Sequence, residues 1–281
     1  MNLRRILRGR GVETPLSLEG GVPTPLSGLT TRAHRRVAHF LIRDRADDRY
    51  IYSYPRSGST WLRTILANLI DPGTEANPDR RVALIPGVSV RNARRIGRLE
   101  SPRLLKSHGR YMGPVPRAVY LVRDGRDVLV SMYHKRITRP GHADKIDFPD
   151  FCRRYFRGDL GERWDDSVIS WLERGRAEMG PALMVVRFED LKADLPGRVP
   201  EIAGFLSIDA DEARIAAALD KASLERLRES ERSRVGELAP DRSVYRGGKV
   251  GQWRDMLTGE LLERFMSLSS AALTAAGYPL T

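Results

Sequence analysis

The chain has 281 residues, of which 41% are apolar and 30% are charged. This balance excludes an intrinsically disordered protein and is sufficient for one large α/β domain or two small ones. Lysine and arginine outnumber aspartate and glutamate by 48 to 36, and the formal net charge of +12 favours anionic partners such as nucleic acid, acidic membranes or small phosphorylated and sulfated ligands.

The single cysteine, Cys152, excludes an intrachain disulfide. No histidine or asparagine pattern beside it indicates a nucleophile, and a lone cysteine is more often a small buried apolar residue.

Residues 1–32 are rich in Arg, Gly, Pro and Thr, and we predict a poorly ordered N-terminal arm followed by one domain over residues 33–281. Leu3, Ile6 and Leu7 share a face among arginines, so an amphipathic membrane anchor is an alternative for the arm. The basic N-terminus lacks the apolar run of a signal peptide, and no stretch reaches the length of a membrane-spanning helix. We therefore expect a cytoplasmic protein without stable membrane insertion.

Beyond the arm, segments with strand character alternate with segments of helical spacing. The predicted strands are RYIYSYP at 49–55, RVALIP at 81–86, RLLKSH at 103–108, AVYLVRD at 118–124 and ALMVVRF at 182–188. The predicted helices are TWLRTILANLI at 60–70, GRDVLVSMYHKRI at 125–137, DFPDFCRRYF at 147–156, DDSVISWLERGRAEM at 165–179 and most of the chain from 189 to 278. This alternation predicts βαβ units, and hence an α/β fold of three layers with a central parallel sheet flanked by helices.

The first predicted strand and helix are joined by a polar turn, Arg56-Ser57-Gly58-Ser59-Thr60. Ligands of parallel sheets lie at the carboxyl ends of the strands, and a helix N-terminus attracts anions through its free N–H groups and its dipole. The turn therefore predicts an anion site. It lacks the first glycine and the lysine of the P-loop motif, and a simple helix cap by Ser59 or Thr60 is an alternative.

The stretch YPRSGSTWLR that contains this turn resembles the YPKSGTTW motif of the cytosolic-type sulfotransferases, which bind 3′-phosphoadenosine 5′-phosphosulfate (PAPS). Four further segments resemble family motifs in the family's order: SPRLLKSHGRY at 101–111, VYLVRDGRDVLVSMYH at 119–134, VRFEDLKADL at 186–195 and VYRGGKVGQWRDMLT at 244–258. The resemblance covers residues 50–275. It implies the P-loop-NTPase-like sulfotransferase fold, PAPS as co-substrate and PAP as product.

The resemblance also implies roles for individual residues. His108 would be the general base, because a neutral imidazole can take a proton near neutral pH, while Lys106 and Arg56 would stabilise the transferring sulfuryl group. The residues implied to bind the donor are Arg56, Ser57, Gly58, Ser59, Thr60, Trp61, Arg123, Ser131, Phe188, Arg246, Gly247 and Gly248. Three of them depart from the family pattern: Arg56 and Gly247 replace lysines, although Lys249 could reach the site, and Phe188 replaces a tyrosine.

The acceptor side is less defined in the sequence. We expect a small-molecule hydroxyl or amine as acceptor, and the aromatic segment 138–156 forms either an acceptor wall or ordinary core. Ser167 stands where the family often has a histidine. A homodimer is an alternative because Arg254, Thr258 and Glu263 match a short family dimerisation motif, in which Gly259 replaces a valine.

No metal is expected, because Asp124 and Asp127 open a predicted helix, where carboxylates are common.

Three other functions are open. They are a protein that binds PAP or PAPS without transferase activity, a P-loop-type nucleotide kinase, and a nucleic-acid binder. The last is indicated by charge alone, since the arginines form no aromatic-interleaved stripe, and we expect no nucleic-acid partner.

Overall fold

The structure is a computed structural model that describes residues 38–137, 146–236, 245 and 248–281. Within these ranges the chain forms a parallel sheet of four strands in the order β2-β1-β3-β4. The strands are β1 (Arg49–Ser53), β2 (Leu104–His108), β3 (Ala118–Val122) and β4 (Leu183–Arg187). All four lie where the sequence predicts strands.

Helices surround this sheet. They are α1 (Ser59–Ile70), α2 (Pro78–Leu84), α3 (Val90–Gly97), α4 (Gly125–Ile137), α5 (Phe148–Phe156), α6 (Trp164–Ile169), α7 (Arg176–Met179), α8 (Phe188–Ala193), α9 (Leu195–Phe205), α10 (Glu212–Lys221), α11 (Leu224–Val235) and α12 (Gly259–Ala275). A π-helical segment, Ser170–Gly175, joins α6 to α7, so the helix predicted over 165–179 is continuous but wider in its middle.

The two faces of the sheet bury different residues because successive strand side chains point to opposite sides. Tyr50, Tyr52 and Tyr120 pack on one face with residues of α4, α5, α6 and α12. Ile51 and Val119 pack on the other face with residues of α1, α8, α9 and α10. Both faces are covered, as parallel sheets require. The predicted three-layer α/β architecture is therefore confirmed.

The strand predicted over 81–86 is wrong, since those residues belong mostly to α2. The Asn77 side chain accepts the backbone N–H groups of Asp79 at 2.9 Å and Arg80 at 3.3 Å, and Pro78 occupies the first helical turn. Such a capped start outweighs the strand propensity of the apolar residues that follow. The chain reaches the sheet only afterwards, where Lys106 N–H donates to the Pro86 carbonyl at 3.0 Å.

The predicted arm over residues 1–32 lies outside the described residues, so its boundary with the domain stays a prediction. Among the helices that the structure describes, none has both the length and the hydrophobicity needed to cross a bilayer.

Candidate active site

The turn between β1 and α1 holds a buried hydroxyl with no protein partner. Ser57 is fully buried, and its Oγ forms no hydrogen bond within the described ranges. Gly58, with a φ of 91°, is the cap residue of α1, so the alternative of a cap by Ser59 or Thr60 is wrong. A buried polar atom without a partner is costly, and the adjacent helix N-terminus attracts negative charge. The turn is thus suited to an anionic oxygen.

Two arginines bring positive charge to this turn. The Arg56 Nε donates to the Oγ of buried Ser131 on α4 at 3.0 Å. Arg123, which follows β3, donates from Nη1 to the Arg56 carbonyl at 3.4 Å. Its Nε is buried and has no partner in the portion of the chain described. The fold thus brings together three predicted donor-binding residues from β1, β3 and α4.

The ring of Phe188 is the centre of a second group of predicted residues. The Trp61 ring lies edge-on to it with centroids 5.9 Å apart, and the Arg123 Cζ lies 4.8 Å from its centroid. Gly58 and Gly248 approach the same ring so closely that a Cβ on either would meet it at 2.5 Å or 3.0 Å. Trp61 is also attached to the core, since its Nε1 donates to the Ala222 carbonyl at 3.0 Å.

The imidazole of His108 is held in one tautomer by β1. Its Nδ1 lies 2.9 Å from the Ser53 carbonyl oxygen, which can only accept, so Nδ1 carries the proton and donates it. The Nε2 of a neutral ring therefore has a lone pair, and it contacts the Lys106 ammonium, which lies on the same face of β2 two residues earlier. This geometry suits a proton acceptor beside a fixed positive charge.

Lys192 adds to the positive character of the site. Its Nζ donates to the Gly248 carbonyl at 2.8 Å. Lys192 is exposed as a residue, but partial desolvation of its ammonium, followed by the charge of nearby Arg123, lowers its pKa. Two cations this close together would be stabilised by an anion between them.

Sequence reasoning did not single out Ser53 or Lys192. Ser53 could have been found from sheet register, because the last residues of β1 and β2 are paired as Ser53 and His108. Lys192 carries no such signal, since its contact depends on how residues 248–253 fold back onto α8.

Other predicted residues lie elsewhere or outside the described ranges. Arg246 and Gly247 are outside them, as is the whole of the segment 138–145. In the remainder of the predicted acceptor wall, Phe148, Phe151 and Tyr155 are buried in the core beside the sheet. Among the residues that the structure describes, no group of three or more His, Cys, Asp or Glu side chains is arranged to hold a metal ion.

Comparison with known proteins shows which family the sequence resembles. The family model described as "Sulfotransferase domain" matches residues 46–277. Human Sulfotransferase 1E1 is 26% identical over 79% of this chain and 82% of its own length. Human Sulfotransferase 4A1 is 27% identical over 82% of this chain and 80% of its own length.

Solved structures show the same fold. The crystal structure of mouse sulfotransferase SULT7A1 complexed with PAP aligns with a TM-score of 0.62 and 25% identity, covering 82% of this chain and 85% of the mouse chain. The implied sulfotransferase fold is therefore confirmed.

Proposed function

The chain belongs to the sulfotransferase domain family, and on that premise we propose that it transfers a sulfuryl group from PAPS to a hydroxyl or amine of a small-molecule acceptor. The observation that carries the proposal is the pair of contacts made by the two ring nitrogens of His108. Its Nδ1 is committed to the Ser53 carbonyl, and its Nε2 lies beside Lys106. Both strands that carry these residues end at the edge of the sheet where the anion-binding turn begins.

The chain's own residues fit an adenosine donor with phosphates at its 3′ and 5′ positions. In this proposal Arg56, Ser57, Ser59 and Thr60 hold the 5′ end, where the buried Ser57 hydroxyl gains its partner. Arg123 and Ser131 hold the 3′-phosphate, together with Arg246, Gly247 and Gly248. Trp61 and Phe188 border the adenine. PAPS supplies the activated sulfuryl group.

His108 acts as the general base in this proposal. Its Nε2 accepts the proton of the acceptor's hydroxyl or amine, while the Nδ1–H bond to Ser53 keeps the ring oriented and stabilises the imidazolium that forms. Lys106 stabilises charge on the transferring group. Arg56 does the same as an electrostatic clamp only, because a guanidinium stays protonated and cannot serve as an acid.

The proposal predicts that His108→Ala lowers kcat by about 100-fold or more, because general-base catalysis contributes factors of this size. PAP formation from PAPS is measured with a panel of phenols, alcohols and amines, and PAP affinity is measured by calorimetry. Affinity should stay within about threefold of the wild type, since His108 is not assigned to the nucleotide. Added imidazole should restore part of the rate.

His39→Ala is the matched control, since His39 packs on Tyr50 and Tyr52 and has no role in the proposed chemistry. A His108→Ala protein as fast as the wild type would remove the assigned base. A wild type that binds PAP but turns over no acceptor would be a binding protein without transferase activity. Hydrolysis of ATP without affinity for PAP would indicate a nucleotide kinase.

We extend the proposal to a cytoplasmic protein without stable membrane insertion or a nucleic-acid partner. A homodimer through Arg254, Thr258 and Glu263 stays an alternative, and the molar mass measured by sedimentation equilibrium would test it.

A further inference from the structure

Asp127 makes contacts that its position in a helix does not explain. It lies in the first turn of α4, where carboxylates often accept N–H groups of their own helix. Here both carboxylate oxygens accept from residues more than 120 positions later in the chain. The Oδ2 accepts the Gly251 N–H at 2.8 Å, and the Oδ1 accepts the Trp253 N–H at 3.1 Å. The side chain is almost completely buried.

The segment that Asp127 holds, residues 248–253, also accepts hydrogen bonds from two of the cationic side chains described above. The Arg123 Nη2 donates to the Lys249 carbonyl at 2.9 Å, and Lys192 donates to the Gly248 carbonyl. The guanidinium of Arg126, next to Asp127, lies 4.1 Å from the centre of the Trp253 ring. Backbone donors and acceptors of one short segment are therefore satisfied by side chains from α4, α8 and the end of β3.

Asp127 also orients Arg123. The Arg123 Nη2 lies 3.5 Å from the Asp127 Oδ2, and both side chains are buried. One carboxylate therefore holds the residue assigned to the 3′-phosphate and, at the same time, the segment 248–253 beside it. A neutral side chain could not do both, because two backbone N–H groups and a guanidinium all require an acceptor.

We propose that Asp127 is a positioning residue that fixes residues 248–253 and Arg123 in the arrangement that encloses the nucleotide donor. This inference rests on the proposed function for the identity of the donor. Asp127 touches neither the donor nor the acceptor in this proposal, and it acts through the backbone of Gly251 and Trp253 and through the Arg123 guanidinium.

The test compares the wild type with Asp127→Asn. An amide has one acceptor oxygen, so its NH₂ group would face one of the two backbone donors, and the charge opposite Arg123 is lost. We expect PAP to bind about 10-fold or more weakly, with most of the change in the dissociation rate. The KM for PAPS should rise similarly, while the KM for the acceptor at saturating PAPS should change less than threefold.

Asp211→Asn is the matched control. Asp211 caps α10 by accepting the Arg214 N–H at 2.7 Å and does not contact residues 248–253, so this variant should bind PAP like the wild type. If Asp127→Asn also binds PAP like the wild type, the inference is overturned and the proposed function stands. If the wild type itself binds no PAP, both are overturned.

Hydrogen exchange provides a measurement that needs no variant, in case Asp127→Asn does not fold. The amides of Gly251 and Trp253 should be protected in the free wild type, and PAP should slow their exchange further. Exchange of both amides at the rate of an unstructured peptide would contradict the inference. In a folded Asp127→Asn protein, peptides covering 248–253 should exchange faster, while those from α10 should not change.

Discussion

At Gly58 two independent constraints exclude any other residue. Its φ of 91° is strained for residues with a side chain, and a Cβ would lie 2.5 Å and 2.7 Å from two atoms of the Phe188 ring. The ring cannot move away freely, since it also contacts Trp61 and the guanidinium of Arg123. The glycine is therefore part of the packing of the site as well as of the turn.

We predict that Gly58→Ala lowers the free energy of unfolding by about 2 kcal/mol and weakens PAP binding, because the added methyl displaces Phe188. Gly204→Ala is the control. Gly204 lies in α9 with open space where a Cβ would be, so that variant should be neutral or more stable by up to about 1 kcal/mol. Urea denaturation and calorimetry with PAP measure both effects. Equal stability of the two variants would contradict this account.

Cys152 is a second residue whose surroundings explain its role. The thiol is fully buried in the core beside the sheet, and burial raises its pKa to about 12. A thiol in this state is a poor nucleophile at neutral pH. The interpretation of Cys152 as a small buried apolar residue is confirmed.

Between elements, the first turn of α8 is joined to two other parts of the chain by one carboxylate. The Glu189 Oε1 accepts the Asp124 N–H at 3.1 Å, and its Oε2 accepts the Tyr278 hydroxyl at 2.6 Å. The burial that accompanies these contacts raises the pKa of Glu189 above its usual value, although both hydrogen bonds act in the opposite direction.

This raised pKa predicts a pH dependence of stability. The folded protein binds the Glu189 proton more tightly than the unfolded chain, so the contribution is fully present below about 4.5, the usual pKa of a glutamic acid, and is lost as pH rises through the higher folded value. Glu189→Gln cannot ionise, and its amide oxygen can still accept the Asp124 N–H while its NH₂ group donates to the Tyr278 hydroxyl oxygen. Its stability relative to the wild type should therefore increase from pH 4 to pH 7.5 in urea denaturation.

Tyr278→Phe should change this pH dependence in the opposite direction. It removes the hydroxyl that donates to the ionised Glu189, so its stability relative to the wild type should fall over the same pH range. If the difference in stability between each variant and the wild type does not vary with pH, Glu189 is ruled out as the source of the pH dependence.

On the scale of the whole molecule, a buried ion pair connects the beginning of the domain to the sheet. The Arg103 Nε donates to the Asp48 Oδ1 at 2.7 Å, and both side chains are inaccessible to solvent. The same guanidinium donates to the Arg43 carbonyl at 3.1 Å and to the Ile96 carbonyl at 3.4 Å, at the end of α3. One side chain thus satisfies carbonyls from two separate segments.

We predict that Asp48→Asn lowers the free energy of unfolding by on the order of 3 kcal/mol, because it removes the hydrogen-bonded counter-charge of a buried guanidinium. The control is Glu201→Gln, which removes an exposed, solvent-screened ion pair with Arg198 and should change stability far less. Chemical denaturation of both variants measures the difference. The prediction fails if the two substitutions cost the same.

The sequence by itself determined the order and type of most elements and the location of the polar turn between β1 and α1. These features depend on local periodicity and on residues close together in the chain, such as the apolar run of β3 and the polar residues from Arg56 to Thr60. The strand predicted at 81–86 is wrong for a local reason as well, because the Asn77 side chain starts a helix there despite the β-propensity of the apolar residues that follow.

Only the tertiary structure decided how residues distant in the chain meet. The tautomer of His108 depends on its pairing with Ser53, the Phe188 ring lies between Gly58 and Gly248, and Asp127 accepts from Gly251. Hydrogen bonds and ring contacts require positions accurate to fractions of an ångström. Those positions follow from packing both faces of the sheet at once, which no local pattern encodes.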